Sequence, residues 1–496
     1  MLKAILGNLL WTAGNLRHHR RFLRARRDRR AAQETILLSF LQRNAGSAYG
    51  RAHGYASIRG VEEFQDRVPI VTYEDLEPWV ERAARGEQEV LTMEPVLLFE
   101  KTSGSSGAEK LIPYTASLLR EFRRAVGAWM FDLFTSRPAL LTGSQYWSLT
   151  PLARGEERTS GGIRIGFEDD CDYFGPVDRA FLRCAMAAPR SFARLESTED
   201  CLQKTAERLV STRDLRFISV WSPSFLPLLL RWLPAGSRPA DLWPNLRVIS
   251  CWTGGAAARF VPELRDIFPG VEIQGKGLLA TEGVVSIPLG KVSPGSVSSG
   301  TAATPAFTSH FLEFLGEDGR PHLADQLDVG RRYSVVMTTG GGFARYDLGD
   351  EVEVVAPDSI EFVGRRGGSS DICGEKLSEA FVESVLGAAT RTYRLSGLAM
   401  LAPEWGAPPR YVLFVESRRA GLVARFVEER LRESYHYDYS RRLGQLEAVE
   451  GVEVSNGDAK YLRGCEDLGQ RLGAVKPACL RREPGWRQRM ETHALR

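Results

Sequence analysis

The chain has 496 residues, of which 43% are hydrophobic and 26% are charged, as in an ordinary globular protein. This composition excludes a disordered chain, a collagen-like repeat and a small disulfide scaffold, and the length allows about three domains. The net charge is +3, but residues 1–30 alone carry +8, which leaves −5 for the rest. A strongly basic N-terminal segment therefore precedes a mildly acidic body.

The N-terminal segment reads as an amphipathic helix. Leu2, Ile5, Leu6 and Leu9 recur at helical spacing, and dense arginine follows them. The pattern favours a helix packed on the body with its arginines in water, and peripheral docking on a membrane surface stays open. No apolar run reaches the roughly 20 residues needed to span a bilayer. No nucleic-acid partner is expected.

The seven cysteines lie far apart, are odd in number and form no C-x-x-C pair. This usage indicates neither a disulfide framework nor a zinc site, and it fits a reducing cytoplasm. The seven histidines are scattered as well, so no metal site built from histidine or cysteine is expected.

The first half of the chain predicts an α/β fold. Apolar periodicity and turn residues predict a helix over 33–45, a strand over 94–99, a small-residue loop over 102–110, a helix from Ala116 to about Phe134, a buried strand over 246–252, a turn over 253–255, a helical stripe over 260–268 and a strand over 271–273. Strand, turn, helix and strand in succession are typical of a mostly parallel sheet with helices on its faces.

The second half of the chain predicts a smaller α+β unit. Strands are expected over 334–339 and 351–355, followed by a helix over 377–388, strands over 395–402 and 410–417, a long helix within 420–446 and a last helix near 459–473. Gly367 and Gly368 mark the boundary, because consecutive glycines let the backbone rotate at low steric cost. The expected division is an arm over 1–32, a large domain over 33–363, a hinge over 364–370 and a small domain over 371–496.

The strongest chemical signal is a loop that holds Thr102, Ser103, Gly104, Ser105, Ser106, Gly107 and Lys110. Glycines let backbone N–H groups approach an anion, hydroxyls add donors, and an ammonium offsets phosphate charge. The pattern differs from G-x-x-x-x-G-K-[ST], so an ordinary P-loop is disfavoured. A flexible Ser/Gly linker is the alternative, but linkers do not usually lie between a buried strand and a helix. We therefore expect a phosphate-binding loop.

This loop resembles the phosphate loop of the adenylate-forming enzymes. Its flanks, AYGRAHGY at 48–55, VPIVTYEDLEPWVER at 68–82 and GEQEVLT at 86–92, narrow the resemblance to the Gretchen Hagen auxin-responsive family of acyl acid–amido synthetases, in a bacterial-type version. The resemblance implies a large N-terminal adenylate-forming domain with mixed β-sheets flanked by helices, and a small mobile α+β C-terminal domain. It implies ATP and Mg²⁺ as cofactors.

The resemblance also assigns roles along the large domain. Gly254 and Gly255 stand where the adenine-binding loop would be. Thr281 would contact phosphate or the acyl carboxylate, and Glu282 would help to hold Mg²⁺, which one or two carboxylates usually bind in nucleotide sites. Leu278 replaces the aromatic residue that would stack on adenine, and Phe362 is a candidate to supply that ring.

Two further segments resemble family motifs, and a lysine completes the set. Tyr346 to Asp350 is similar to Tyr-x-x-Gly-Asp, so Asp350, expected at a strand start and exposed, would bind both ribose hydroxyls. Arg365 would reach the ribose or phosphate. Lys476 would swing in from the small domain as a catalytic residue beside Lys110 and Glu282, although a solvated surface lysine is nearly as good a reading of it.

The implied reaction joins a carboxylic acid to an amino acid or another amine through acyl-AMP. The acid pocket is expected among the aromatic residues between 120 and 252, which are Phe122, Trp129, Phe131, Tyr146, Trp147, Phe174, Trp221, Phe225 and Trp252. Arg120, Arg123 and Arg124 could pair with a substrate carboxylate, but a solvated helix face is favoured. An acyl-CoA ligase and a non-catalytic nucleotide-binding or membrane-recruited protein remain as alternatives.

Overall fold

The structure is a computed structural model. It describes residues 2–101, 110–148, 157–167, 173–189, 191–192, 195, 198–223, 225–290, 302–366, 369–370, 372, 375, 377–442, 444–470, 472 and 475–492. These residues divide into two compact units. The larger unit holds the described residues up to Gly254 and from Phe260 to Phe362, and the smaller unit holds those from Val363 onward together with 255–259.

The larger unit is built from helices and short strands. Its helices are α1 (Leu2–Ala25), α2 (Arg29–Asn44), α3 (Ala48–Ala52), α4 (Val61–Arg67), α5 (Tyr73–Ala84), α6 (Ala116–Ser136), α7 (Pro176–Ala185), α8 (Thr198–Val210), α9 (Phe225–Leu230), α10 (Pro239–Leu242) and α11 (Val261–Ile267). Its strands are β1 (Leu98–Lys101), β2 (Leu111–Tyr114), β3 (Ser144–Trp147), β4 (Glu157–Arg158), β5 (Arg164–Ile165), β6 (Leu215–Ser219), β7 (Val248–Cys251), β8 (Glu272–Gly275), β9 (Ser286–Ile287), β10 (Thr304–Pro305), β11 (Phe311–Leu315), β12 (Pro321–His322), β13 (Arg332–Thr338) and β14 (Tyr346–Ala356). Strand β15 (Ser359–Arg365) crosses the boundary between the units.

The smaller unit contains β16 (Ser369–Ser370), β17 (Leu377–Ser378), α12 (Glu379–Tyr393), β18 (Ala399–Glu404), β19 (Arg410–Val415), α13 (Ala420–Leu431), α14 (Tyr435–Arg442), β20 (Glu450–Glu453), α15 (Gly457–Asp467) and α16 (Trp486–Thr492). Its central sheet has the order β18-β19-β20, and buried side chains of α12 and α13 pack with those of the sheet in one hydrophobic core. This is an α+β arrangement, as the sequence predicted.

A four-stranded parallel sheet with the order β3-β6-β7-β8 lies within the larger unit. Its strands are short and mostly buried, because both faces of a parallel sheet are covered. The expected succession of strand, turn, helix and strand over 246–273 is confirmed as β7, α11 and β8. Since the strands are parallel, their carboxyl ends meet at one edge of the sheet.

The other large sheet has the order β12-β11-β13-β14-β15, and its central pairs are antiparallel. A third sheet, β2-β1-β5-β4, contains the hairpin of β1 and β2. Parallel and antiparallel pairing within one unit confirms the expected mixed α/β class. The short strand β2, which contains Pro113, was missed from the sequence, and the expected long helix within 420–446 is two helices, α13 and α14.

Helix α1, which covers most of the expected arm over 1–32, belongs to the larger unit. Its Trp11 ring is buried and makes edge-to-face contacts with Phe134, Trp147 and Phe174. A Cβ added at Gly127 of α6 would come within 2.5 Å of the Asn15 side chain, so the two helices pack closely at that glycine. This packing agrees with the favoured interpretation of the sequence, in which the amphipathic helix packs on the body of the protein.

The last two points of the fold concern the predicted hinge and the absence of a membrane-spanning helix among the described residues. The hinge at Gly367 and Gly368 lies outside the described residues and stays a prediction. In the part of the chain that the structure describes, no helix combines the length and the apolarity that a membrane crossing requires.

Candidate active site

The predicted phosphate loop joins the two strands of a hairpin. Lys101 of β1 pairs with Leu111 of β2, so the two ends of the loop are held opposite each other. The loop residues Thr102, Ser103, Gly104, Ser105, Ser106 and Gly107 lie outside the described residues, and their phosphate-binding role stays a prediction. Lys110, which closes the loop, is described.

Lys110 contacts the start of α5. Its Nζ lies 5.3 Å from the centre of the Tyr73 ring, and the Tyr73 hydroxyl accepts a hydrogen bond of 2.8 Å from the Leu111 backbone N–H. The positive charge of Lys110 also contributes, after local hydrogen bonds, to a lowered pKa of Glu74. The residue that follows Lys110 is thus fixed by Tyr73, and the ammonium lies over an aromatic face, which attracts cations.

Thr281 and Glu282 occupy a tight turn. The Ala280 N–H donates to the Gly283 carbonyl at 2.9 Å and the Gly283 N–H donates back at 3.2 Å, while Leu279 pairs with Val284 outside them. The turn therefore projects its two central residues from a closed hairpin. The Glu282 carboxylate is only 4% exposed.

Two tyrosine hydroxyls reach this turn from other motifs. The Tyr346 hydroxyl donates to Glu282 Oε1 at 3.3 Å, and the Tyr114 hydroxyl donates to the Thr281 carbonyl at 2.5 Å. Burial raises the pKa of Tyr114 well above its usual value, so it remains a donor at any physiological pH. We call Tyr73, Lys110, Tyr114, Glu282 and Tyr346 the carboxylate cluster.

Burial and charge link Tyr73 to the same cluster. Burial raises the pKa of the Tyr73 hydroxyl, and the negative charges of Glu77, Glu81 and Glu282 add to that rise. Three segments that the sequence analysis singled out separately, those around 68–82, 110 and 278–283, therefore come together with Tyr346 in one place. A cation and a buried carboxylate thus both interact with Tyr73.

A buried polar network supports the turn from behind. The Val284 N–H donates to His310 Nε2 at 3.0 Å, and His310 Nδ1 lies 3.0 Å from Glu121 Oε2. The same Glu121 oxygen accepts from the Gly340 N–H at 2.7 Å. Since Nε2 must accept, the ring proton lies on Nδ1 and points to Glu121. Both side chains are buried, so the network fixes the hairpin that carries Glu282.

Asp350 lies inside β14 and is only 2% exposed, so the expectation of an exposed aspartate at a strand start was wrong. The pairing of β13 with β14 shifts register over this stretch, and Gly349 has φ +71°, which favours glycine. The Gly349 N–H donates to Asp347 Oδ1 at 2.9 Å. The Gly-Asp pair of the motif is thus a bulge that redirects the aspartate. Its ribose role stays a prediction.

A buried ion pair holds the entry to β14. The Arg345 guanidinium donates to both carboxylate oxygens of Glu313 at 3.0 and 3.1 Å, and to the carbonyls of Gln65 and Val68. Burial raises the pKa of Glu313, and Arg345 opposes that rise. Arg345 also adopts φ +48°, an uncommon conformation that these hydrogen bonds impose directly before Tyr346.

The remaining predicted residues lie elsewhere or in the other unit. Leu278 is half-buried against the core, and its N–H donates to Ser286 Oγ at 2.9 Å. Phe362 is a half-buried residue of β15, and Arg365 ends that strand. Gly255 has φ +56°, a turn conformation that suits glycine, and Gly254 precedes it. The adenine, ribose and phosphate roles of these residues stay predictions.

Lys476 belongs to the smaller unit, where its side chain is exposed. Its backbone carbonyl accepts a hydrogen bond of 2.7 Å from the Tyr461 hydroxyl, so the segment is anchored to α15. This geometry fits an exposed lysine on a fixed backbone, and the catalytic role stays a prediction.

A second lysine, which the sequence analysis did not single out, lies at the carboxyl edge of the parallel sheet. Lys276 follows β8 directly and is 3% exposed. Its Nζ donates to Ser219 Oγ at 2.7 Å and lies 5.5, 5.9 and 5.0 Å from the ring centres of Trp129, Trp147 and Trp221. We call these three indoles around Lys276 the tryptophan cage.

The cage is only partly visible in the sequence. Its tryptophans were expected in an acid pocket because of their type, but they are 92 residues apart at the extremes, and nothing local connects them to Lys276. Two signals could have found the lysine. Only nine lysines occur among 65 basic residues, and this one stands between two glycines shortly after the expected strand. Tyr73 lies within the family-like segment 68–82, but neither Tyr73 nor Tyr114 carried a signal of its own.

The arginines of α6 differ from one another. Arg120 is exposed and pairs with Glu94 at 2.8 Å. Its exposure agrees with the favoured interpretation, in which this face of the helix lies in solvent. Arg123 and Arg124 are half-buried, and burial lowers the pKa of both. Neither belongs to the carboxylate cluster.

Comparison with known proteins decides the family. The description "GH3 family N-terminal domain" matches residues 18–237, and "GH3 family central domain" matches residues 303–365. The chain belongs to the GH3 family. This confirms the family expected from the sequence, and with it the enzyme class, an adenylate-forming ligase.

Similar proteins agree with this assignment. "Putative indole-3-acetic acid-amido synthetase GH3.10" from Oryza sativa subsp. japonica is 27% identical over 394 residues, which cover 71% of this chain and 81% of that protein. The structure of "AtGH3.15 acyl acid amido synthetase in complex with 2,4-DB" has a TM-score of 0.77 at 18% identity and covers 94% of both chains. The structure of a 2-hydroxyisobutyryl-CoA ligase has a TM-score of 0.55 at 12% identity, covering 89% of this chain and 93% of its own.

Proposed function

We propose that this GH3 protein is an ATP-dependent acyl acid–amido synthetase. A carboxylate oxygen of the acid attacks the α-phosphorus of ATP, the bond to pyrophosphate breaks, and acyl-AMP forms. The nitrogen of an amino acid or another amine then attacks the acyl carbon, AMP leaves, and the amine proton passes to solvent. The carboxylate cluster carries the proposal, because it brings a loop-closing lysine and a buried carboxylate together.

The residues of the carboxylate cluster have different roles, which follow from their charges. Lys110 offsets negative charge on phosphate, which is the main demand of phosphoryl transfer. Tyr346 holds Glu282 in place and Tyr114 holds the backbone of Thr281, so the turn keeps its position as charge redistributes. These groups need no protein nucleophile, and positioning with charge neutralisation suffices.

The donor set also fits Mg²⁺. Glu282 offers a buried carboxylate, and one or two carboxylates with substrate phosphates and waters are the usual ligands of this ion. Glu282 would hold the ion, which when bound supplies further charge neutralisation at the phosphates. The side chain of Tyr346 orients the carboxylate that would bind it.

An assay of acid-dependent pyrophosphate release tests the activity. A panel of carboxylic acids is supplied with ATP, and at least one acid is expected to give release that Glu282→Gln lowers about 100-fold. The matched control is Lys204→Met, a change of an exposed lysine on α8, which should leave the rate unchanged. A wild-type protein that binds ATP but releases no pyrophosphate with any acid would favour the non-catalytic alternative.

The acceptor distinguishes an amide from a thioester. The likeness to a CoA ligase keeps the thioester as a second candidate. Product analysis by mass spectrometry, with an amino-acid mixture in one reaction and CoA in another, is expected to give the amide. Thioester alone would contradict the amide synthetase and leave adenylation standing.

The outward face of α1 supports a separate proposal, peripheral contact with an anionic membrane. Leu2 and Leu6 are 79% and 57% exposed, and exposed Arg17, Arg20 and Arg24 follow on the same face. Apolar side chains beside basic ones are typical of helices that lie in a membrane interface. Vesicles with phosphatidylserine should retain the protein more than phosphatidylcholine vesicles, and Leu6→Ser should weaken that retention. Equal retention on both would contradict the proposal.

We propose a cytoplasmic location because of the state of the cysteines. Five described cysteines are free thiols, which a reducing cytoplasm preserves. Measuring the protein in the cytosolic fraction of its source cells tests this, and secretion with oxidised thiols would contradict it.

A further inference from the structure

A buried glutamate of α6 joins two separate segments of the larger unit. Glu121 Oε2 accepts a hydrogen bond of 2.7 Å from the Gly340 N–H and lies 3.0 Å from Nδ1 of His310. The Glu121 carbonyl accepts another, of 2.6 Å, from the Ser309 hydroxyl. Glu121 and His310 are both buried. One residue therefore holds the turn that follows β13 and the segment that precedes β11.

The His310 ring is fixed before it reaches the turn that holds Glu282. The backbone carbonyl of His310 accepts a hydrogen bond of 2.8 Å from Gln33 Nε2 of α2, and its Nδ1–H points to Glu121. Nε2 then accepts from the Val284 N–H at 3.0 Å, two residues after Glu282. A rotation of the ring would break these bonds, so the ring fixes the backbone that follows the glutamate.

The ring and the turn are also in close contact. A Cβ added at Gly283 would come within 2.9 Å of His310 Nε2 and within 2.7 Å of the Met337 side chain. The backbone directly after Glu282 therefore lies against the ring itself. Because protein interiors are close-packed and transmit strain, a shift of the ring would move the turn.

A second route leads from Glu121 to the carboxylate of Glu282. Helix α6 and its N-cap hold both polar backbone groups of Gly340, because the N–H donates to Glu121 and the carbonyl accepts from the Thr115 hydroxyl at 2.7 Å. The chain runs from this turn into β14, whose first residue, Tyr346, donates to Glu282 Oε1 at 3.3 Å. Glu121 therefore supports the backbone beside Glu282 through the histidine and its carboxylate through the tyrosine.

We propose that Glu121 and His310 are positioning residues that orient Glu282 for Mg²⁺. They act through the turn and through Tyr346, and they do not bind the ion themselves. A carboxylate that is already held in one orientation loses less conformational freedom on binding, and residues that orient a metal ligand change metal affinity by about 10–100-fold. The inference rests on the proposed function, in which Glu282 holds the ion at the phosphates of ATP.

Nucleotide binding with and without the ion tests the proposal apart from activity. Calorimetry compares the affinity of the protein for α,β-methylene-ATP, which cannot release pyrophosphate, in Mg²⁺ and in EDTA. The ratio of the two affinities should be well above one in the wild type and close to one in Glu282→Gln. His310→Leu, which removes the acceptor for Val284, should lower the ratio about tenfold or down to the value of Glu282→Gln. A wild-type ratio in His310→Leu would overturn the proposal.

The affinity in EDTA distinguishes positioning from a general loss of structure. His310→Leu should bind the nucleotide in EDTA as tightly as the wild type does, because Glu282 holds no ion there. Equal losses of affinity with and without Mg²⁺ would leave the ratio unchanged, indicate a structural role alone and overturn the proposal. His322→Leu, in the five-stranded sheet, is the matched histidine control and should change neither affinity.

Two variants of Glu121 test its hydrogen bonds apart from its charge. Both bonds go to Oε2, and an amide oxygen can accept both, so Glu121→Gln should keep most of the ratio. Glu121→Leu should lower the ratio as His310→Leu does. A loss in Glu121→Gln as large as that in Glu121→Leu would overturn the proposal.

Thermal unfolding checks that each variant is folded. If neither leucine variant folds, His310→Gln decides in their place. Its side-chain oxygen can take the position of Nε2 and accept from Val284, but no donor then stands at the position of Nδ1. A partial loss of the ratio is expected, and an unchanged ratio would overturn the proposal.

Pyrophosphate release separates this failure from that of the proposed function. A ratio that falls as expected, in a protein that releases no pyrophosphate with any acid, would contradict adenylation and leave the positioning role standing. Acid-dependent release by the wild type, together with a ratio that His310→Leu does not change, would contradict the positioning role and leave adenylation standing.

Discussion

Two lysines of the larger unit lie against aromatic rings, and they differ in almost every other respect. Lys110 is half-buried, contacts the single ring of Tyr73 and ends a loop whose residue types already indicate phosphate binding. Lys276 is buried among three indoles and belongs to no motif. The first is placed by local sequence and the second by sheet topology, which teaches that some buried polar groups are announced by a motif while others are brought together only by the fold.

Removal of Lys110 should have the largest effect. Lys110→Met deletes the charge that offsets phosphate, so kcat/KM for acid-dependent pyrophosphate release should fall at least 100-fold, about 3 kcal/mol of transition-state stabilisation. The affinity for the acid in the absence of ATP should be unchanged, because the tryptophan cage is untouched. Steady-state kinetics and fluorescence titration on the same preparation measure both. A loss of acid affinity in Lys110→Met would show that Lys110 also supports binding of the acid.

Asn8 on α1 should affect the cage and not the carboxylate cluster. Its Nδ2 lies within hydrogen-bond distance of the Leu140 and Gly143 carbonyls, and its Oδ1 accepts from Gln145, the residue that orients Trp147. Asn8→Ala leaves these buried groups unsatisfied, so unfolding free energy should fall by about 2–3 kcal/mol.

The kinetic signature of Asn8→Ala should be a raised KM for the acid with little change in the KM for ATP. Denaturant unfolding and the two KM values are the measurements. Leu9→Ala, on the exposed face of the same helix, is the control and should change neither. Equal changes in both KM values would mean that α1 supports the whole unit without preference.

Substitution of Gly349 tests whether the bulge before Asp350 matters for nucleotide binding. At φ +71° an alanine is strained by about 1 kcal/mol, so Gly349→Ala should lower stability by that amount. The bulge that redirects Asp350 should shift with it, and the KM for ATP should rise several-fold while the affinity for the acid stays constant. Gly14→Ala on α1, whose added Cβ meets nothing within 4 Å, is the matched glycine control. An unchanged KM for ATP would separate Asp350 from nucleotide binding.

His18 should change stability only in acid and should leave substrate binding unaffected. Burial, with the nearby charges of Arg17 and Arg124, lowers its pKa from 6.5 to about 4. Between pH 6.5 and 4, His18 therefore binds a proton in the unfolded chain but not in the folded chain. The free energy of unfolding falls as the pH drops through this window. The loss is about 1–2 kcal/mol, because part of the ring is in solvent.

Replacement of the histidine should remove that window. His18→Gln should flatten the unfolding free energy between pH 6.5 and 4 relative to the wild type, while His322→Gln, in the five-stranded sheet, should not. Melting temperatures across the range measure it. A wild-type slope that persists in His18→Gln would place the titrating group elsewhere.

Local pattern and long-range assembly explain what the sequence could predict. Lys110 and Glu282 were found because their neighbours in sequence carry the signal, and α6, β7, α11 and β8 because apolar periodicity is local. Strand β2 was missed because it has four residues, one of them proline. The burial of Asp350 was missed because a bulge depends on the partner strand, and Arg345 because only its buried partners make its backbone conformation tolerable.

The segment from Lys276 to the turn that holds Glu282 joins the carboxyl edge of the parallel sheet to the carboxylate cluster. The hairpin in this segment is held at Ser286 and at His310, so we expect a displacement at Lys276 to reach the turn. Binding of the acid would then alter the affinity for nucleotide, and reciprocity requires nucleotide to alter the affinity for the acid by the same factor. The order in which the two substrates load would follow from a few hydrogen bonds along one short segment.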